Sequence, residues 1–141
     1  MLQKIIVKGK NVLHGKVHVS GAKNAALPVL CAALLSDESS EIDNVPDIAD
    51  IHTLLKIFEE LNIKTSFQKN KVKIDPSKIK LSPINSELIC KMRASILLIG
   101  PLIQRFNEVK MPFPGGCVLG KRSISAHTFA LKAIGAEVLD E

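Results

Sequence analysis

The chain repeats itself, and that repeat limits what it can fold into. Arg93-Ala-Ser-Ile-Leu-Leu-Ile lies over Asn24-Ala-Ala-Leu-Pro-Val-Leu, Phe113-Pro114 over Val45-Pro46, and Leu61-Asn-Ile-Lys-Thr over Ile134-Gly-Ala-Glu-Val. A spacing of about 70 residues marks two copies of one supersecondary unit. Each copy reads helix, strand, loop, helix, strand. A unit of this kind leaves one helix–sheet face bare, so the copies must pack on each other around shared helices. The expected class is α/β (α+β), with repeats at about residues 20–75 and 88–141.

Taken in order, residues 3–8 and 16–19 read as short strands around a polar turn at Gly9–Gly15, with His14 and His18 on the solvent side. Ser20-Gly21 breaks the pattern, and a helix runs from Lys23 to Leu35 with Ala26, Leu27, Leu30, Ala33 and Leu34 on one face. Pro28 falls early in it, where a missing N–H costs least. Glu41–Val45 gives a strand ending at Pro46, and Ala49–Leu61 an amphipathic helix. Ile63–Phe67 and Lys71–Ile74 pair as a hairpin about Gln68-Lys69-Asn70. In the second copy, Leu88–Gln104 reads as one helix, Glu108–Met111 as a strand, Ser123–Ile134 as a helix and Glu137–Leu139 as a strand. The second copy has no counterpart to the Lys71–Ile74 strand before Glu141, so an incomplete domain is expected.

Charge and cysteines exclude more than they select. With 46% apolar and 23% charged residues, the 141-residue chain is globular, and no apolar run nears a membrane span. Nor does its start resemble a secretory leader, so a cytoplasmic protein is expected. The net charge of +5 comes with no Trp or Tyr to stack bases and with scattered lysines, which argues against nucleic acid. Cys31, Cys90 and Cys117 have no zinc spacing and are odd in number, so neither a metal centre nor a disulfide framework is expected. Cys31 and Cys90 lie in apolar helical patterns and read as buried fillers.

Two stretches carry chemistry. Lys23 and Asn24 stand at a helix start just after a glycine, where free N–H groups and the positive dipole end suit an anion. Alone, this is equally a capped helix with a solvated lysine. Pro112-Phe-Pro-Gly-Gly-Cys117-Val-Leu-Gly-Lys-Arg122 sets a thiol beside two glycines and a basic pair, and cationic neighbours favour a thiolate. On its own this is also compatible with a plain Gly-rich turn.

Together, SGAKNAALPVLCAALL, NVPDI, KMRASILLIGPLI and PFPGGCVLGKR resemble, in order and over the whole length, the start of the UDP-N-acetylglucosamine enolpyruvyl transferase (1-carboxyvinyltransferase) family. The resemblance implies transfer of the enolpyruvyl group of phosphoenolpyruvate to the 3-hydroxyl of UDP-N-acetylglucosamine, the first committed step of peptidoglycan synthesis. It implies no cofactor and no metal. By resemblance, Lys23, Asn24 and Arg122 bind phosphoenolpyruvate, and Arg93 and Arg122 hold the anionic substrates. Cys117 is the catalytic acid and the thiol that fosfomycin alkylates. The implied fold is an inside-out α/β barrel in two similar domains, with residues 1–19 belonging to the far domain and 20–141 forming part of the catalytic-loop domain.

Where the family continues after its loop arginine with proline, valine, aspartate and leucine around the uridine, this chain has Ser123, Ile124, Ser125 and Ala126. The carboxylate that would accept the uracil N–H is lost, and Lys121 adds charge beside the loop. The far domain, with a catalytic aspartate and a further arginine, lies outside the sequence. A truncated anion-binding remnant without turnover is therefore a second expectation. A transferase acting on shikimate 3-phosphate is a third, with weaker resemblance at the KNAALP and PGGC motifs.

Overall fold

A computed structural model describes residues 4–115 and 123–139. The first helix, α1 (Lys23–Ala32), continues into a 3-10 turn at Ala33–Leu35. Pro28 is its sixth residue, and the lost hydrogen bond is confined to the carbonyl of Asn24. Leu27, Leu30 and Leu34 are all but fully buried, matching the apolar face expected of this helix. β1 (Ser40–Ile42) follows, and then α2 (Ala49–Glu60), which buries Ile51, Leu54, Leu55, Ile57 and Phe58.

The hairpin of β2 (Lys64–Gln68) and β3 (Lys71–Asp75) closes through Lys69 and Asn70, at φ 49° and 60°. Two consecutive left-handed residues make the turn whose twist matches paired strands. Asn70 also fastens the turn to the loop after β1, its Nδ2 donating to Val45 O at 2.9 Å while Val45 N donates to Asn70 O at 2.7 Å. β1 and β2 flank β3, both antiparallel to it. The register aligns Ile42, Val72 and Phe67 inward and puts Glu41, Lys73 and Ser66 outward. On the outer face Lys71 and Lys73 both pair with Glu41, Lys71 first, and hold its carboxyl below the usual range.

The second copy forms helices but no sheet among the described residues. α3 (Ser86–Lys91), a 3-10 segment (Arg93–Leu98) and α4 (Ile99–Phe106) replace the single helix expected over Leu88–Gln104. The break is at Met92, which is extended (φ −137°, ψ 115°). Ser95 helps to hold it: its fully buried hydroxyl donates to Met92 O at 2.7 Å and lies 3.2 Å from Ile89 O, beside the backbone bonds that these carbonyls accept from Ser95 N and Met92 N. α5 (Ser125–Ala133) ends the described structure and buries none of its residues.

Five strand expectations fail in part or whole. Residues 4–8 and 16–19 form no strand; Ile5, Leu13 and Val17 are nearly nine-tenths exposed, because no sheet edge among the described residues reaches them. Residues 108–111 and 137–139 are likewise unpaired. The Glu41–Val45 strand is cut to Ser40–Ile42 as Asn44 turns left-handed at φ 56°. A strand is a shared structure, and alternation alone cannot supply the partner.

The two copies meet where α1 packs on the 3-10 segment of the second copy, where α2 packs on α3, and where α4 packs on the 3-10 turn after α1; α1 also packs on α2. The end of that helical stretch is held from the second copy. Arg105 of α4, its side chain 16% exposed, donates Nε to Leu34 O and Nη2 to Ser36 O at 2.6 Å, and pairs through Nη1 with Asp37 at 2.8 Å. Arg105→Ala should cost about 2–4 kcal/mol, chiefly by leaving these carbonyls without a donor. Chemical denaturation with an unchanged slope but an earlier midpoint is the expected result.

Candidate functional site

Lys23 and Asn24 open α1, both exposed, with Ala22 as an N-cap that supplies no side-chain acceptor. The glycine ahead of them is there for space. A Cβ on Gly21 would stand 1.7 Å from Asn44 O, so only a bare Cα lets the approach to α1 lie against the loop after β1. The Lys23 ammonium meets Asp50 of α2 at 2.8 Å, the two side chains 51% and 32% exposed.

The second copy repeats the contact with different atoms. A Cβ on Gly115 would fall 2.2 Å from Cys90 O, and the Cys90 thiol lies 3.6 Å from Phe113 O. Pro46 and Pro114, aligned in the repeat, are both buried. Thus the backbone that leads toward Cys117 lies against the end of α3, as the backbone at Asn44 lies against the start of α1. Arg93, three residues beyond Cys90, donates Nη2 to Ser123 O at 2.7 Å. The stretch from Gly115 to Ser123 therefore begins and ends on residues 90–93. Cys117, Lys121 and Arg122 lie outside the described residues.

Ser125 and Ala126 open α5, with Ile124 as its N-cap and Ser123 just before it. The Ser123 hydroxyl accepts from Ser125 N at 3.0 Å and donates to the Ser125 hydroxyl at 2.7 Å. The serine that stands in the expected aspartate position is thus tied into a local turn. Of the residues singled out from the sequence, Arg93 and Ser123 are in contact, and Lys23 is joined to a residue that the sequence reading passed over, Asp50. Its place in the first turn of a helix that packs on α1 was the available signal. Two cavities on the described surface, of about 370 Å³ and 530 Å³, lie elsewhere. One lies on the outer face of the sheet, the other between α1 and α4.

The cysteines divide differently from expectation. Cys31 is buried, and loss of solvent pushes its thiol up to about 12. Cys90 is exposed, a correction to its reading as a core filler; the break at Met92 turns the end of α3 to the surface. Among the described residues no group of three His, Cys, Asp or Glu could hold a metal ion. No helix among them is long and apolar enough to cross a membrane.

A family profile described as EPSP synthase (3-phosphoshikimate 1-carboxyvinyltransferase) matches residues 7–141. The chain is 46% identical over 140 residues to UDP-N-acetylglucosamine 1-carboxyvinyltransferase 3 of Caldanaerobacter subterraneus subsp. tengcongensis, which covers 99% of this chain and 34% of that protein. It thus spans about a third of the length of that curated relative. Among solved structures, it is similar to the crystal structure of the enolpyruvyl transferase NikO from Streptomyces tendae. The TM-score is 0.63 at 25% identity, over 70% of this chain and 23% of that one.

Two measurements check the cysteines. Limited alkylation near neutral pH should modify Cys90 and leave Cys31 untouched until the chain unfolds. Because the folded Cys31 thiol titrates above its unfolded value of 9.0, its contribution is intact below pH 9 and is lost as pH rises toward about 12. The full loss is up to about 4 kcal/mol. Cys31→Ala should flatten that part of the alkaline stability decline.

Proposed function

The chain belongs to the EPSP synthase (3-phosphoshikimate 1-carboxyvinyltransferase) family, and on that premise we propose that it is the N-terminal part of a UDP-N-acetylglucosamine 1-carboxyvinyltransferase. On this reading Lys23, Asn24 and Arg122 hold phosphoenolpyruvate, and Cys117 delivers a proton to its C3. The sugar 3-hydroxyl then adds at C2, giving its proton to a base, and loss of a C3 proton with departure of phosphate restores the double bond. The chemistry needs a positioned acid and cations on the phosphate and carboxylate. A lysine offers a point charge and an arginine a two-pronged fork, suited to those two groups.

One observation carries the proposal: residues 90–93 grip both ends of the stretch bearing Cys117 and Arg122, and the 3-10 segment that begins at Arg93 packs on α1, the helix that Lys23 opens. A thiol on a tether with fixed ends can be delivered to a bound substrate without a long search. Arg93 and residues Ser123, Ile124, Ser125 and Ala126 then belong to the UDP-N-acetylglucosamine side. The acceptor follows the 46% identical relative in preference to the 3-phosphoshikimate of the family description. The proposal includes an inside-out barrel completed by further chain, a far domain that takes residues 1–19 as strands, and a cytoplasmic enzyme. It would feed peptidoglycan, and with it cell shape and division.

The test is a chimaera in which this chain replaces the matching third of the Caldanaerobacter relative. It should release phosphate from phosphoenolpyruvate only when UDP-N-acetylglucosamine is present. Lys23→Ala or Cys117→Ala should lower the rate by at least about 100-fold. The 141-residue chain alone should release none, and turnover with shikimate 3-phosphate would sink the choice of acceptor. Fosfomycin offers a second check, since its mass should appear on Cys117 before Cys31 or Cys90. First labelling at either of the other two would count against Cys117 as the reactive thiol.

A further inference from the structure

Lys23 is a poor point charge until something holds it. Its side chain has four rotatable bonds and is half exposed, and α1 offers no acidic residue in its first turn to steady it. The holding group comes from another element. Asp50 lies in the first turn of α2, where the helix dipole favours a carboxylate, and its Oδ2 meets the Lys23 ammonium at 2.8 Å. The neighbouring acid, Asp47, instead meets the His52 ring nitrogen at 2.6 Å.

We infer that Asp50 is a positioning residue for Lys23: its carboxylate fixes the ammonium at the start of α1 and is also the internal anion with which a phosphate-bearing ligand must compete. This rests on the proposed role of Lys23. A carboxylate in contact with the ammonium lowers the site's affinity for any second anion, and the same contact narrows the directions in which Lys23 can point. Asp50 therefore trades affinity for placement. An arriving phosphate either shares the ammonium or displaces the carboxylate, leaving Asp50 near the bound anion as a repulsive group that favours release.

The experiment compares the 141-residue chain with Asp50→Asn, Asp50→Glu and Lys23→Ala. Asparagine keeps the shape and an acceptor oxygen but drops the charge. Limited acylation, mapped by mass with Lys80 as internal reference, should label Lys23 severalfold faster in Asp50→Asn, and Asp50→Glu should restore much of the protection. Inorganic phosphate titrated by NMR should bind about tenfold tighter to Asp50→Asn and not at all to Lys23→Ala. A purely structural acid would not raise anion affinity on removal. Equal Lys23 labelling in wild type and Asp50→Asn, with matching melting curves, overturns the inference, as does unchanged or weaker phosphate binding by Asp50→Asn. Absence of phosphate binding in every form, with the labelling difference present, instead sinks the anion-binding role of Lys23 and reduces the pair to a structural one.

Discussion

The body of this protein hangs on how α1 is shared. α1 and the 3-10 turn that continues it touch both copies of the repeat, and Leu27, Leu30 and Leu34 are buried in that packing. Apolar burial supplies the attraction but not the register, because leucines slide on leucines at little cost. Arg105 supplies the register. By meeting the carbonyls of Leu34 and Ser36 and the carboxylate of Asp37, its guanidinium ties α4 to one defined point where the first helical stretch ends. Arginine suits the task because a planar fork can satisfy several acceptors at once.

That register matters for chemistry at the other end of the helix. Lys23 leads α1, and Arg93 leads the 3-10 segment that packs against it. The break at Met92 is the device that makes the second copy different from the first. A continuous helix would have run past this point; the buried Ser95 hydroxyl stabilises the interruption instead. Cys90 and Arg93 then fall on either side of an extended residue, and one meets Phe113 and Gly115 while the other meets Ser123. Two close backbone approaches, one at Gly21 and one at Gly115, use the absence of a side chain for the same purpose in the two copies.

Apolar surface remains uncovered in three places. Residues 4–19 carry exposed Ile5, Ile6, Val7 and Leu13; α5 presents Phe129; and an apolar hollow lies between α1 and α4, lined by Pro28, Leu35 and Leu97 among others. Scattered apolar side chains need no explanation, but continuous stretches of them do. Strand-like alternation with no strand, a helix with no buried residue and a hollow beside the shared helix all fit a chain that spans a third of its relative's length.

The sequence by itself determined α1, α2, α5 and the hairpin of β2 and β3. Ala49–Glu60 and Lys64–Asp75 follow from local periodicity and from turn residues that tolerate a left-handed backbone, and such signals are carried by neighbours a few positions apart. It also marked Lys23, Arg93 and the Cys117 stretch, because residue type and order carry the likeness to a family. Tertiary structure decided the rest. Whether residues 4–8, 108–111 and 137–139 became strands depended on a partner edge that no alternation encodes. The break in the helix expected over Leu88–Gln104 is held in part by Ser95, which serves carbonyls in its own turn and is buried against a core assembled from distant segments. Cys90 became a surface thiol by that break, and Asp50 became the neighbour of Lys23 because two helices packed. Contacts between residues far apart in the chain depend on where the core puts them, and a linear pattern does not contain that information.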